Sequence, residues 1–184
     1  METTTSSTKT KWGIDLAHSE ISFKVKHLMI SNVKGIFTDY GANIYFAGED
    51  FMTPEIDFFM NPASINTGDD KRDAHLKSVD FFDVENHKQI TFSSKSCEKT
   101  GNDGHFTLHG NLMMRGITQH ITLDVEFGGI MKDPWGNQKA GFTLNGKINR
   151  KDWGLSWNAA LEAGGVLVSD EVRISCEVEL VKQS

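Results

Sequence analysis

Apolar residues along this chain recur every second position rather than every three or four. Ile21, Phe23 and Val25 alternate with Ser22, Lys24 and Lys26, which is the pattern of a half-buried strand. Ile36, Tyr40, Ile44 and Phe46 share even positions in the next stretch, with Gly35 and Gly41 as bend or bulge sites. Ile56, Phe58 and Met60 alternate with Asp57, Phe59 and Asn61, so both faces carry a Phe and the parity is ambiguous there. Further period-two runs are Ile90 and Phe92; Phe106, Leu108, Leu112 and Met114; Ile121, Leu123, Val125 and Phe127; Phe142, Leu144 and Ile148; and Val172, Ile174, Cys176, Val178 and Leu180. Turn residues separate them at Gly101, Asn102 and Gly104, at Arg115-Gly116 and from Asp133 to Asn137.

One segment departs from this period. Residues 69–78 have helix-forming composition, with Asp69 or Asp70 placed to cap, and predict one short helix. Residues 1–11 are polar and rich in Thr and Ser, and read as a disordered tail. Residues 12–182 then form a single domain of about eight strands. Short turns between strands imply an antiparallel meander. Closure into a barrel pairs every edge, although a two-sheet sandwich would show the same alternation. The fold class is therefore all-β.

Composition bears on what such a barrel holds. The chain has 12 Phe against 2 Tyr, and Phe suits a dry interior because it has no polar handle. An eight-stranded barrel can be filled by its own side chains or hold one small ligand. Periodicity leaves both a packed core and an elongated apolar tunnel open. A tunnel would need no catalytic group. A long lipid tail burying ~20 methylenes would gain roughly 16 kcal/mol before ordering costs are subtracted.

Other chemistry finds little support in the pattern. The net charge is -6 and no Lys/Arg cluster tracks phosphates, which argues against nucleic acid as a partner. His105 and His109 fall in a strand, where four residues span about 13 Å and cannot share a metal. Cys97 and Cys176 are distant and form no metal motif; buried thiols are favoured over a disulfide. There is no Gly-x-Ser-x-Gly elbow, no phosphate-cradling glycine loop and no run of transmembrane length. The expectation is a protein that is not an enzyme, has no metal or cofactor, and does not insert stably in a membrane. The first residues contain no apolar signal-peptide core, so a cytoplasmic location is expected; a chain trimmed of a leader would be periplasmic or secreted.

Two charged clusters stand out: Lys71 to His75 reads as a solvated helix face with internal ion pairs or as a polar gate near one barrel end, and Asn149 to Gly154 reads as a turn in which Arg150 pairs with Asp152 and Trp153 packs over the barrel end. Taken in order with the rest, they carry a resemblance. The pieces are Trp12 to Asp15, His18-Ser19, Ile21-Ser22-Phe23, Val25 to Met29 and Val33 to Phe37; then Ala63 to Thr67, Arg72 to Leu76 and Asp80-Phe81-Phe82; then Ile90-Thr91-Phe92, Gly110-Asn111-Leu112, Gly116-Ile117-Thr118, Gly141-Phe142, Ile148 to Gly154 and Trp157. This ordered set resembles the YceI-like family of polyisoprenoid-binding, lipocalin-like proteins, from Trp12 to about Lys182. His87-Lys88-Gln89 stands where the family commonly has Tyr-Pro, and Asn111 stands where it favours Asp.

The resemblance implies an elongated eight-stranded antiparallel barrel holding a long isoprenoid, either a polyprenyl pyrophosphate or a polyprenyl quinone, as carrier or store. The implied apolar lining is Phe23, Val25, Phe37, Phe81, Phe92, Leu112, Met114, Leu123, Phe142 and Trp157, with Phe37 at odds with the parity of Ile36. Head-group candidates are Arg72, His75 and Arg150. A homodimer is suggested by the resemblance alone. The rival readings are an enzyme acting on a lipid in the same cavity and a packed barrel that serves as an interaction protein.

Overall fold

A computed structural model describes residues 8–48 and 50–184. Eleven strand segments are ordered by pairing: β1 (Lys9–Ile14), β2 (Glu20–His27), β3 (Ser31–Phe37), β4 (Tyr40–Ala47), β5 (Asp50–Met60), β6 (Ile65–Asn66), β7 (Ile90–Lys99), β8 (His105–Met114), β9 (Ile117–Lys132), β10 (Gln138–Asn149) and β11 (Val168–Lys182). β2 and β1 pair with successive stretches of β11. β2 pairs with β3 and β1 with β4, and β3 pairs with β6 while β4 pairs with β5. Each of the first three long strands is therefore one strand broken by a kink. The eleven segments form a closed, eight-stranded antiparallel barrel in meander order, sealed where Trp12 to Ile14 meet Lys182 to Leu180.

The kinks are built by side chains. Asp15 caps a 3-10 turn between β1 and β2, accepting from the Ala17 N–H, and Lys139 Nζ lies 2.6 Å from its carboxylate and 3.3 Å from that of Glu179. Between β3 and β4, the N–H groups of Thr38 and Asp39 both donate to Ser64 Oγ at 3.1 Å. This second kink reverses the inward parity. Val33 and Phe37 point inward from β3, whereas Tyr40, Ile44 and Phe46 point inward from β4. The even parity expected through both segments fails at Ile36, which lies on the outer face of β3, and Phe37 takes the core position.

The ambiguous pair in β5 has a comparable cause. Ile56, Phe58 and Met60 face in, and Phe59 lies outside across Gly41, where an added Cβ would sit 2.8 Å from its ring. The expected tail also needs correction. Residues 1–7 lie outside the described part, but Lys9 to Lys11 belong to β1 because they pair with Ala47 to Tyr45.

The single α-helix among the described residues, α1 (Asp70–Lys77), is capped by Asp69, whose carboxylate accepts the Arg72 N–H. Asp73 ties it to the strand behind, accepting from both the N–H and the hydroxyl of Thr67. The Arg115-Gly116 turn between β8 and β9 has positive φ at both residues, 50° and 71°, which matches the right-handed twist of a two-residue hairpin. No helix among the described residues is long and apolar enough to cross a membrane.

Candidate lipid cavity

Inward residues of the strands enclose an elongated apolar cavity of about 580 Å³, well inside the roughly 300–1,000 Å³ range of small-molecule sites. One end is shut by aromatic rings. Phe46, Phe51, Phe127 and Phe142 pack with centroids 4.6 to 6.4 Å apart, and Trp12 meets Phe51 at 5.7 Å. Along the wall two glycines keep the lumen open. A Cβ at Gly35 would lie 2.3 Å from the Phe23 ring, and one at Gly110 would lie 2.3 Å from the Phe92 ring. Both rings thus lie flat against bare backbone instead of standing across the bore. Cys97 and Cys176 line the wall and are not bonded to each other; burial pushes the Cys176 thiol up to about 11.

The other end differs in chemistry. Lys26 and His27 at the end of β2, and Lys71, Arg72 and His75 on α1, line its mouth, and no Asp or Glu is found among the described lining residues. For a chain of net charge -6, that is a marked local reversal of sign. On the helix, positions 71, 72, 75 and 76 share one face, and that face borders the opening. Arg72 is held by Thr67, donating from Nε to the hydroxyl at 2.7 Å and from Nη2 to the carbonyl at 2.8 Å. His75 Nε2 lies 2.9 Å from Asp80 Oδ2. Its ring stands edge-on to Phe81 at 5.1 Å and to Trp157 at 4.7 Å, and those two rings meet at 5.4 Å. The three rings form an aromatic gate beside the cationic rim.

All ten expected lining residues, Phe23, Val25, Phe37, Phe81, Phe92, Leu112, Met114, Leu123, Phe142 and Trp157, border this one cavity, as do Arg72 and His75. Arg150 borders it too, but its geometry assigns another task. It is 3% exposed, and its guanidinium donates to the carbonyls of Leu155, Trp157, Val168 and Ser169. Those bonds pin the segment between Trp153 and β11 across the barrel end, which gives Arg150 the structural task of a clamp. Trp153 is buried at the same end, its Nε1 donating to the Leu112 carbonyl at 2.9 Å.

Lys26 and His27 were not among the expected site residues. The period of β2 places Lys26 on the outer face, and only its position at the barrel rim brings it to the mouth. Ile56, Phe58 and Met60 were missed because the parity of their strand was undecided.

The model of the YceI-like domain matches residues 12–180. The chain belongs to the YceI-like family. A UPF0312 protein of Staphylococcus aureus (strain bovine RF122 / ET3-1) is 40% identical over 171 residues, covering 92% of this chain and 96% of that one. The Campylobacter jejuni YceI protein has a similar solved structure, with 36% identity, a TM-score of 0.72, and coverage of 92% of this chain and 96% of that one. At 15% identity, a polyisoprenoid binding domain from Saccharophagus degradans implicated in plant cell wall breakdown shares the fold, with a TM-score of 0.69 and coverage of 94% and 98%. The barrel with its broken first strands is thus a YceI-like architecture.

Proposed function

We propose that the protein binds one long-chain isoprenoid lipid, tail inside the barrel and head group at the cationic mouth, and serves as its carrier or store. The observation that carries this reading is the pairing of an apolar bore with a mouth bordered by Lys26, Lys71 and Arg72 and by no described Asp or Glu. Membership of the YceI-like family supports it, and so does the polyisoprenoid binding of the Saccharophagus degradans domain that shares the fold. The tail would gain about 0.8 kcal/mol per buried methylene. Lys26, Lys71 and Arg72 favour an anionic head, so polyprenyl pyrophosphate is preferred to a quinone.

A binding role is favoured over catalysis on chemical grounds. Among the described lining residues no carboxylate is available as acid or base. The Cys176 thiol stays protonated at neutral pH, so it is a poor nucleophile. His75 has Asp80 on one nitrogen and the Phe81 and Trp157 rings packed edge-on against its ring.

Titrating lipid-stripped protein with a polyprenyl pyrophosphate and with the polyprenol of equal length, following Trp157 fluorescence, tests the head-group preference. The pyrophosphate is expected to bind at least about tenfold more tightly. Equal affinity would remove the role given to the basic rim.

A further inference from the structure

The three-residue tip of the β2–β3 hairpin breaks two rules at once. Leu28, Met29 and Ile30 are all exposed, Ile30 at 82%. Leu28 and Met29 also adopt positive φ values of 52° and 63°, a conformation that bulky L-residues avoid and that hairpin loops usually fill with Asn, Asp or Gly. Backbone strain and apolar exposure at one spot are signs of function rather than folding.

The tip is held firmly. The Leu28 N–H donates to the Leu167 carbonyl at 2.9 Å and the Ile30 N–H to the His27 carbonyl at 3.2 Å. The Met29 side chain packs on Gly165, where an added Cβ would lie 3.3 Å from its Cγ. Its location is equally specific. Lys26 and His27, which immediately precede the tip, line the cavity mouth; so do Leu167 and Val168 across from them, and Lys71 and Arg72 on α1. The exposed apolar tip therefore stands on the rim of the opening, next to Lys26, Lys71 and Arg72.

We propose that this rim docks the barrel on an anionic lipid bilayer, with Leu28, Met29 and Ile30 entering the boundary between head groups and acyl chains while Lys26, Lys71 and Arg72 meet lipid phosphates. Charge argues for a membrane over a generic apolar partner. The chain as a whole carries -6 and is repelled by an anionic surface; on α1 Lys71 and Arg72 border the mouth whereas Asp69, Asp70 and Asp73 do not, so the mouth is the face suited to meet lipid phosphates. The contact is peripheral, the depth of three side chains. This inference rests on the cavity being a lipid site, since the docked orientation is the one that lets a lipid pass between bilayer and barrel.

Co-sedimentation with phosphatidylcholine vesicles containing about 30% phosphatidylglycerol tests it, with pure phosphatidylcholine vesicles as the reference. The double variant Leu28→Asn/Met29→Gly supplies residues suited to the same backbone, so it is expected to melt at or above the parent temperature. Its affinity for the anionic vesicles is nevertheless expected to fall about tenfold or more. Failure of the parent protein to sediment with anionic vesicles, or equal binding by the folded variant, would overturn the proposal. A dimer in sedimentation without vesicles that the variant abolishes would also overturn it, by assigning the tip to a second copy. Extracted lipid is measured on both proteins in parallel. Lipid retained without vesicle binding removes the docking surface alone, whereas no lipid in the parent removes the cavity reading.

Discussion

Replacing Arg150 by lysine separates a clamp from a ligand. The guanidinium donates to the Ser169 and Trp157 carbonyls at 2.9 Å each, to the Leu155 carbonyl, and at 3.4 Å to the Val168 carbonyl. A lysine keeps the charge but has no planar fork to reach carbonyls on both sides of the loop. The three bonds other than the long one to Val168, at a net contribution of about 1 kcal/mol each, put the loss near 3 kcal/mol. For a chain of this size that corresponds to a melting temperature lower by roughly 6–12 °C. Thermal unfolding with parallel urea titration measures it, and Arg150→Met controls for loss of charge with similar bulk. Both variants are expected to lose comparable stability. If Arg150→Lys melts within about 1 °C of the parent while its affinity for polyprenyl pyrophosphate drops, the clamp assignment is wrong and Arg150 is a head-group ligand after all.

The reversed parity at the β3–β4 kink predicts that Phe37→Ala costs about 3 kcal/mol or more and Ile36→Ala no more than about 1 kcal/mol, measured by urea unfolding; equal costs would contradict the kink. Lys139, then His18, holds the Asp15 carboxyl at about 2 against an ordinary 3.8. A folded pKa below the unfolded one stabilises fully above about pH 4 and loses that contribution as pH falls towards 2, so Asp15→Asn should flatten acid unfolding in that window, by about 1 kcal/mol after solvent screening. Cys176 should resist maleimide at pH 8, where a thiol near 11 is about a thousandth ionised; rapid labelling of the folded protein would show that the wall is more open than described.

Much of the architecture was legible because one face of each strand is buried, and burial of one face writes a period of two into the sequence. The cap and length of α1 were likewise legible from Asp69 and the residues that follow it. The kinks were not. Thr38 and Asp39 reverse the inward face with no compositional mark, because the bonds that hold them come from Ser64, 25 and 26 residues away. Phe59 misled for a related reason: its ring covers Gly41 on a neighbouring strand, and cross-strand cover leaves no trace in local spacing. Arg150 looked like a head-group ligand because a basic residue beside an aromatic cluster suits both roles. The carbonyls converging on it, which show the clamp, come from segments that no local spacing brings together. The basic mouth assembles from the end of β2 and from α1, which are more than 40 residues apart, so its collective charge is a property of the fold and not of any run of sequence.

The central claim is that an apolar bore holds one lipid. Native mass spectrometry of the protein taken from its own host, followed by organic extraction, measures this directly. The account predicts a one-to-one mass increment that extracts as a polyprenyl lipid and disappears on delipidation. A bare chain mass, together with no uptake of added polyprenyl pyrophosphate or isoprenoid quinone, would contradict it.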